Sequence, residues 1–349
     1  MLVKKIPIFQ GFPDLCTVKL LSKSKTELSE FRPIFFDIET TGLSRYTTFV
    51  YLIGAAKWES DQWVLYQWMA EKPEEESLVL RAFSEFLKDC SCTIQYNGNR
   101  FDQPYLEERY KHHNMESPFR EIPSCDLYQL LKPCQGFFKL IHMKQPDLEN
   151  FINSGVRIHC DGGQCIRIYK SYLKKRDIFA AETVLGHNQE DLLGLGKIFT
   201  LLRYLCLYEG QYQAVKAELT EQELILHLKL PVKVPQTVSN GTDAFYFTVS
   251  GEEAHLLVHL KEGRLKQYYS NYKDYEYIPQ EDTAITKSLS KYMDKSLRVP
   301  ARPDTCYTWF TCDERFLADP KRQMQYLKHT LTYYLKSLNT NMKKTPAGK

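Results

Sequence analysis

Residues 35–44, FFDIETTGLS, begin as a buried strand does and then place Asp37 and Glu39 where apolar residues should continue. In a strand, residues two apart project from one face, so Asp37 and Glu39 leave the end of PIFFDIE (33–39) together. Two neighbouring carboxylates repel and raise each other's pKa unless a cation lies between them, which favours a hard divalent ion held through oxygen. The other reading is a pair of acids exposed at a strand end.

Downstream, TTFVYLIGAAKW (47–58) and WVLYQWMA (63–70) are two more β-type runs, separated by the polar ESDQ, so a meander is expected. PEEESLVLRAFSEFLKDC (73–90) has Pro73 at its start, acids in its first turn and Leu78, Ala82, Phe83, Phe86 and Leu87 at helical spacing. A fourth strand, TIQYNG (93–98), and a second helix, FDQPYLEERYKHH (101–113), follow. CDLYQLLK (125–132) reads equally as a strand or a short helix, and 133–165 as an irregular wrap around the sheet edge. The spacing of Leu185, Leu192, Leu195, Phe199, Leu202 and Leu205 predicts a long helix from Glu182. Upstream, TELSEF (26–31) predicts a short helix inside a lead-in segment, 1–30. Strands in a meander followed by alternating helices and strands predict an α/β domain over 31–210, a mixed sheet with helices on its faces. From about 215 short alternating runs separated by Asn-Gly and Gly-Glu turns predict a second, C-terminal β-rich (α+β) domain, 215–349.

A chain of 349 residues with 43% apolar content can bury one sizeable core and a smaller one, which agrees with two domains. No apolar run reaches membrane-spanning length and MLVKKIPIFQGF is no signal peptide, so a soluble, cytoplasmic protein without membrane partners is expected. The ten cysteines form no CxxC pair; the closest are Cys90 and Cys92, Cys160 and Cys165, and Cys306 and Cys312. Reduced core thiols are expected from them rather than a zinc site. The net charge of +3 is unevenly spread: residues 261–349 hold 17 Lys and Arg against 10 Asp and Glu, and the remainder is acidic. That division suits a metal site beside a polyanion-binding surface.

Two more stretches carry chemistry. In YNGNRFD (96–102), Asn97 and Gly98 end a strand and Asp102 falls in the first turn of the next helix, where an anion is favoured with or without a metal. In GHNQEDLLGL (186–195), His187 and Asp191 lie four apart on one helix face, which a surface ion pair would also explain. Taken together, Asp37, Glu39, Asp102 and Asp191 are four carboxylates, enough to hold two divalent ions, Mg²⁺ or Mn²⁺, about 4 Å apart for a phosphodiester displacement. His187 is the expected general base, since imidazole titrates near neutrality.

These motifs resemble, in order and spacing, those of the DEDD superfamily of ribonuclease-H-like 3′→5′ exonucleases. FDIETTGL is similar to the first motif, Asn97-x3-Phe101-Asp102 to the second and HNQED to the third. More narrowly, YLIGAA, YNGNRFDQPYL, the Gly pair before IRIYKSYL and HNQEDLLGL resemble the YprB-type ribonuclease-H-like domain proteins. The resemblance implies that Asp37, Glu39, Asp102 and Asp191 are metal ligands. It also implies that Thr40, Thr41 and Leu43 line the terminal-nucleotide pocket, and that Asn97 and Phe101 position the substrate strand. One departure stands out: the superfamily's third motif is Tyr-x3-Asp or His-x4-Asp, whereas His187 and Asp191 give His-x3-Asp.

The expected activity is metal-dependent hydrolysis of single-stranded DNA or RNA by a two-metal-ion mechanism, releasing 5′-monophosphates; the 3′→5′ polarity follows from the resemblance alone. The alternative is a catalytically weak or inactive nucleic-acid-binding protein that keeps the fold. Lys139, Lys144, Arg157, Arg167 and Lys170, between the second and third motifs, would contact phosphates if that segment folds beside the active site, but solvated surface is the expectation for most of them. Tyr268, Tyr269, Tyr272, Tyr275 and Tyr277, with Lys266 and Lys273, read either as a base-stacking surface or as aromatic sheet core. ITKSLSKYMDKSLRV (285–299) has helical spacing, so Lys287, Lys291, Lys295 and Arg298 read either as one basic face or as a merely solvated one.

Overall fold

A computed structural model of the chain describes residues 1–153, 155, 157–159 and 161–342; Cys160 lies outside them. The chain forms two compact units, one of residues 1–132 with 143–202, the other of 133–142 with Arg203 onward.

The first unit contains β1 (Leu2–Ile8), α1 (Leu15–Ser22), β2 (Pro33–Thr40), β3 (Val50–Glu59), β4 (Gln62–Met69), α2 (Glu76–Phe86), β5 (Cys92–Gln95), α3 (Asp102–His112), β6 (Ser124–Asp126), α4 (Leu127–Leu131), α5 (Gln145–Phe151), α6 (Gly162–Lys175) and α7 (Ile178–Phe199). Its sheet has the order β1-β4-β3-β2-β5-β6. The meander is antiparallel, with Asp37 opposite Gly54 and Glu39 opposite Leu52, while β5 and β6 run parallel to β2. A mixed α/β sheet flanked by helices is therefore present. Strand alternation sorts its side chains: Ile34, Phe36 and Ile38 join one core with Val79, Leu80, Phe83 and Leu106 of α2 and α3. On the opposite face Tyr51, Leu52 and Met69 pack with Tyr169 of α6 and Val184 and Leu185 of α7.

Three local expectations change. The lead-in segment pairs β1 with β4 from Leu2–Met69 to Ile8–Trp63. Its helix is α1, capped where Asp14 Oδ1 accepts from Thr17 N at 2.8 Å, while TELSEF forms turns ahead of Pro33. CDLYQLLK is both a strand and a helix, with Asp126 ending β6 and capping α4 through Tyr128 N at 3.0 Å. The stretch 133–165 is no single wrap: 133–142 belongs to the second unit, whereas α5 and the start of α6 belong to the first.

The second unit holds α8 (Leu205–Glu209), β7 (Gln213–Leu219), β8 (Glu223–Lys229), β9 (Val238–Thr242), β10 (Phe245–Ser250), β11 (Glu253–His259), β12 (Arg264–Tyr268), β13 (Tyr275–Ile278), β14 (Thr283–Thr286), α9 (Lys287–Ser290), β15 (Val299–Pro300), β16 (Tyr307–Thr311), α10 (Glu314–Ala318) and α11 (Pro320–Met342). β7-β8-β11-β10-β9, β12-β16 and β14-β13-β15 are antiparallel sheets, so the region is β-rich as expected. The 285–299 stretch forms the end of β14, the four-residue α9, a 3₁₀ turn at Lys295–Leu297 and the start of β15, and Arg298 pairs with Glu276. A single basic helical face is thus not built. The sequence reading missed α11, whose buried Leu327, Leu331, Tyr334, Leu335 and Leu338 recur at helical spacing. The tyrosine cluster is largely packed: Tyr268 is buried with its ring stacked on Tyr333 at 3.7 Å, and Tyr269 stacks on Tyr275 at 5.1 Å. Among the described residues no helix is long and apolar enough to cross a membrane, and the described cysteines are all free thiols.

Candidate active site

β2 lies inside the sheet, and its alternation turns Phe35, Asp37 and Glu39 away from the Phe36 core and toward α7; the Phe35 and Phe199 rings meet at 5.5 Å. A bulge between Glu39 and Thr40 ends the regular pairing just past the second acid. α7 crosses this face and presents His187, Asn188 and Asp191. His187 Nε2 lies 3.2 Å from Asp191 Oδ2, one helical turn away, and 3.4 Å from Glu39 Oε1 on the strand. Among the described residues, Glu39, His187 and Asp191 are the His, Cys, Asp or Glu side chains whose ligand atoms all fall within 4.8 Å of one another.

Asp37 and Asp102 complete the cluster electrostatically. Burial pushes the Asp37 carboxyl well above its ordinary range, and the charges of Asp191, Asp102 and Glu39 push it further. Glu39 is raised the same way, by burial first and then by Asp191. Asp102, in the first turn of α3, is pushed up to about 7, chiefly by burial, with backbone amides pulling against it. Asp191 is also raised by burial, although His187 and Arg157 oppose the shift. Four carboxyls that all resist ionisation mark a site short of positive charge.

A buried amide relay orients the first acid. Gln67 Nε2 donates to Asn188 Oδ1 at 2.9 Å, and Asn188 Nδ2 donates to Asp37 Oδ2 at 3.0 Å. The relay needs α7 pressed onto β3, and Gly54 permits it: a Cβ there would sit 2.0 Å from Asn188 Oδ1. A buried phenol, Tyr51, donates to Glu39 Oε2 at 3.4 Å. The loop before α3 turns through Asn97 at φ 58°, held by Asp126 accepting from Asn97 N at 2.9 Å and Asn99 N at 3.1 Å.

The remaining expected site residues divide in two. Leu43 is 85% exposed just beyond the strand, free to make an apolar contact. Thr40 is buried and donates to Gly42 O at 2.9 Å, and Thr41 N donates to Phe49 O at 2.9 Å, so both brace the turn that presents Leu43. Phe101 is packed against Tyr105, ring to ring at 5.6 Å, and supports the helix that carries Asp102.

Sequence reading missed Glu149 as a site residue and offered Arg157 only as a phosphate contact or solvated surface, not as a partner of the acids. Arg157 donates through Nη1 to Asp191 Oδ1 at 2.5 Å and through Nε and Nη2 to the buried Glu149 at 2.9 and 2.6 Å. Gln67 and Tyr51 were legible only as strand residues. Their signal is a polar side chain within an otherwise apolar strand.

Residues 34–203 match the family model of the RNase_H superfamily. No curated protein matches the chain. Among solved structures it is similar to the family B DNA polymerase of the hyperthermophilic archaeon Pyrobaculum calidifontis, at 14% identity and a TM-score of 0.44, over 88% of this chain and 46% of that one. The chain thus spans less than half the length of that polymerase. It is also similar to E. coli exonuclease I in complex with a dT13 oligonucleotide, at 11% identity and a TM-score of 0.29, over 91% of this chain and 75% of that one. The first unit, which carries all four acids, His187, Asn188 and Arg157 within that match, is a ribonuclease H-like domain.

Proposed function

We propose that this protein is a metal-dependent 3′→5′ exonuclease acting on single-stranded DNA or RNA and releasing 5′-monophosphates. The observation that carries this reading is the convergence of Glu39, His187 and Asp191 within 4.8 Å, beside Asp37 and Asp102, in a ribonuclease H-like domain. The polarity rests on the resemblance of FDIETTGL, Asn97-x3-Phe101-Asp102 and HNQED to the DEDD motifs.

The residues fit hard divalent cations. Their donors are carboxylate oxygens, and their ionisation is held back by burial and mutual repulsion. Asp37, Glu39, Asp102 and Asp191 would hold two such ions, Mg²⁺ or Mn²⁺. Bound there, the ions supply charge for the phosphodiester oxygens and acidify a water.

The chain's own residues do the rest. Asn188, fixed by Gln67, keeps Asp37 Oδ2 as an acceptor pointing along one line. His187 directs Nε2 into the cluster, where it takes the proton of the attacking water once Glu39 and Asp191 no longer share that nitrogen. The contacts of Nε2 with both carboxylates support this role for the four-residue spacing. Thr40 and Thr41 stiffen the turn that offers Leu43 to a terminal nucleotide.

The test is hydrolysis of end-labelled single-stranded DNA and RNA with Mg²⁺ or Mn²⁺, wild type against Asp37→Ala. We expect mononucleotide release by the wild type and a loss of about 10³-fold or more in the variant, as when transition-state electrostatics are removed. Equal cleavage by both proteins, or none by either with any metal, rejects the proposal.

A further inference from the structure

Asp191 is the acid of the cluster already paired with a cation of the protein itself. Arg157 Nη1 donates to its Oδ1 at 2.5 Å, while His187 Nε2 stands 3.2 Å from its Oδ2, so both oxygens face nitrogen. The position of the arginine is built by several contacts. Glu149, 4% exposed, takes the other edge of the guanidinium with both oxygens, and Gln145 Nε2 braces it at 2.9 Å while donating to Asp191 O at 2.7 Å. Room for Glu149 against α7 comes from Gly194, where a Cβ would meet Oε1 at 1.9 Å. The loop beyond Arg157 is fastened to the same helix: Glu190 accepts from Ile158 N at 2.9 Å and His159 N at 3.1 Å, and the His159 ring lies over Gly186.

A guanidinium and a divalent ion cannot share one carboxylate oxygen without repelling each other, and a released guanidinium is a bidentate partner for phosphate. We propose that Arg157 is a resident cation that competes with a divalent metal for Asp191 and, once displaced, binds the phosphate of the polynucleotide while Glu149 keeps it beside the site. This rests on the metal-dependent reading of the cluster. It adds that metal loading and phosphate capture are coupled through a single side chain.

The test uses the full chain stripped with EDTA and titrated with Mn²⁺, read by electron paramagnetic resonance. Arg157→Gln is compared with the Glu149→Gln/Arg157→Gln double variant, in which Glu149 is not left as a buried charge without its counter-ion. We expect both to bind Mn²⁺ more tightly than the wild type, by about tenfold for a lost charge-assisted hydrogen bond. With Ca²⁺ in place of Mn²⁺, both should bind a single-stranded oligonucleotide several-fold more weakly. Unchanged or weaker Mn²⁺ binding by the folded double variant overturns the inference while leaving the nuclease reading intact. Absence of Mn²⁺ binding by wild type and variants alike overturns both.

Discussion

Asp102 shows in one side chain what it costs to assemble an anionic site inside a protein. The α3 N-terminus favours its charge, yet burial prevails and the carboxyl is pushed up to about 7 from an ordinary 3.8. The folded protein therefore holds this proton more tightly than the unfolded chain does. Its contribution to stability is complete below about pH 4 and is lost as pH rises toward about 7. In EDTA-treated protein the thermal midpoint should fall across that window more steeply for the wild type than for Asp102→Asn, which has no proton to lose. Mg²⁺ or Mn²⁺ should reverse the wild-type loss at neutral pH. Melting curves of both proteins at half-unit pH steps check this, and a wild-type-minus-variant difference that stays flat across the window contradicts it.

The elements that carry the acids bring them together only because one strand and one helix approach closely. Gly54 on β3 faces Asn188 and Leu192 of α7, where a methyl group would stand 2.0 Å from Asn188 Oδ1 and 2.6 Å from Leu192 Cδ1. Gly54→Ala should push the helix off the sheet, cost about 1–3 kcal/mol of stability as overpacking does, and carry His187 and Asp191 away from Glu39. Denaturant unfolding and Mn²⁺ affinity should both register the change; a variant normal in both would show that α7 tolerates a different seat. This contact also explains what sequence reading could reach. Asp37 with Glu39, Asp102, and His187 with Asp191 are each legible because strand alternation, a helix start and the i, i+4 rule are local patterns. The roles of Gly54, Asn188 and Gln67 are not, since each exists only where β3, β4 and α7 meet. The pairing of Arg157 escaped sequence reading for the same reason: its partners Glu149 and Asp191 lie 8 and 34 residues away. Local pattern likewise failed at 285–299, where helical spacing is present in the sequence and no long helix forms.

At the scale of the whole molecule, the chain does not divide at a single point. Residues 133–142 leave the ribonuclease H-like unit and pack within the second unit before the chain returns for α5, α6 and α7. There Phe137 and Phe138 are buried, meeting Tyr204 at 6.1 and 5.1 Å, and Phe137 meets Phe247 at 5.7 Å. Asn339 on α11 fastens the same segment, accepting from Gly136 N at 2.6 Å and donating to Pro133 O at 2.7 Å. Nothing in the composition of 133–142 announces this excursion, because two adjacent phenylalanines suit any core. It has a consequence for dissection of the protein. A fragment ending near 210, where the change in sequence texture suggests a cut, retains Phe137 and Phe138 but loses Phe247 and α11. Such a fragment should expose both rings and associate, eluting above monomer size in size-exclusion chromatography. Replacing Phe137 and Phe138 with Ser in the fragment should restore the monomer, whereas in the full chain each large-to-small change should cost about 3–5 kcal/mol before any adjustment for relaxation. A monomeric unsubstituted fragment, with a melting transition equal to that of the full chain, would mean that 133–142 does not depend on the second unit for its burial.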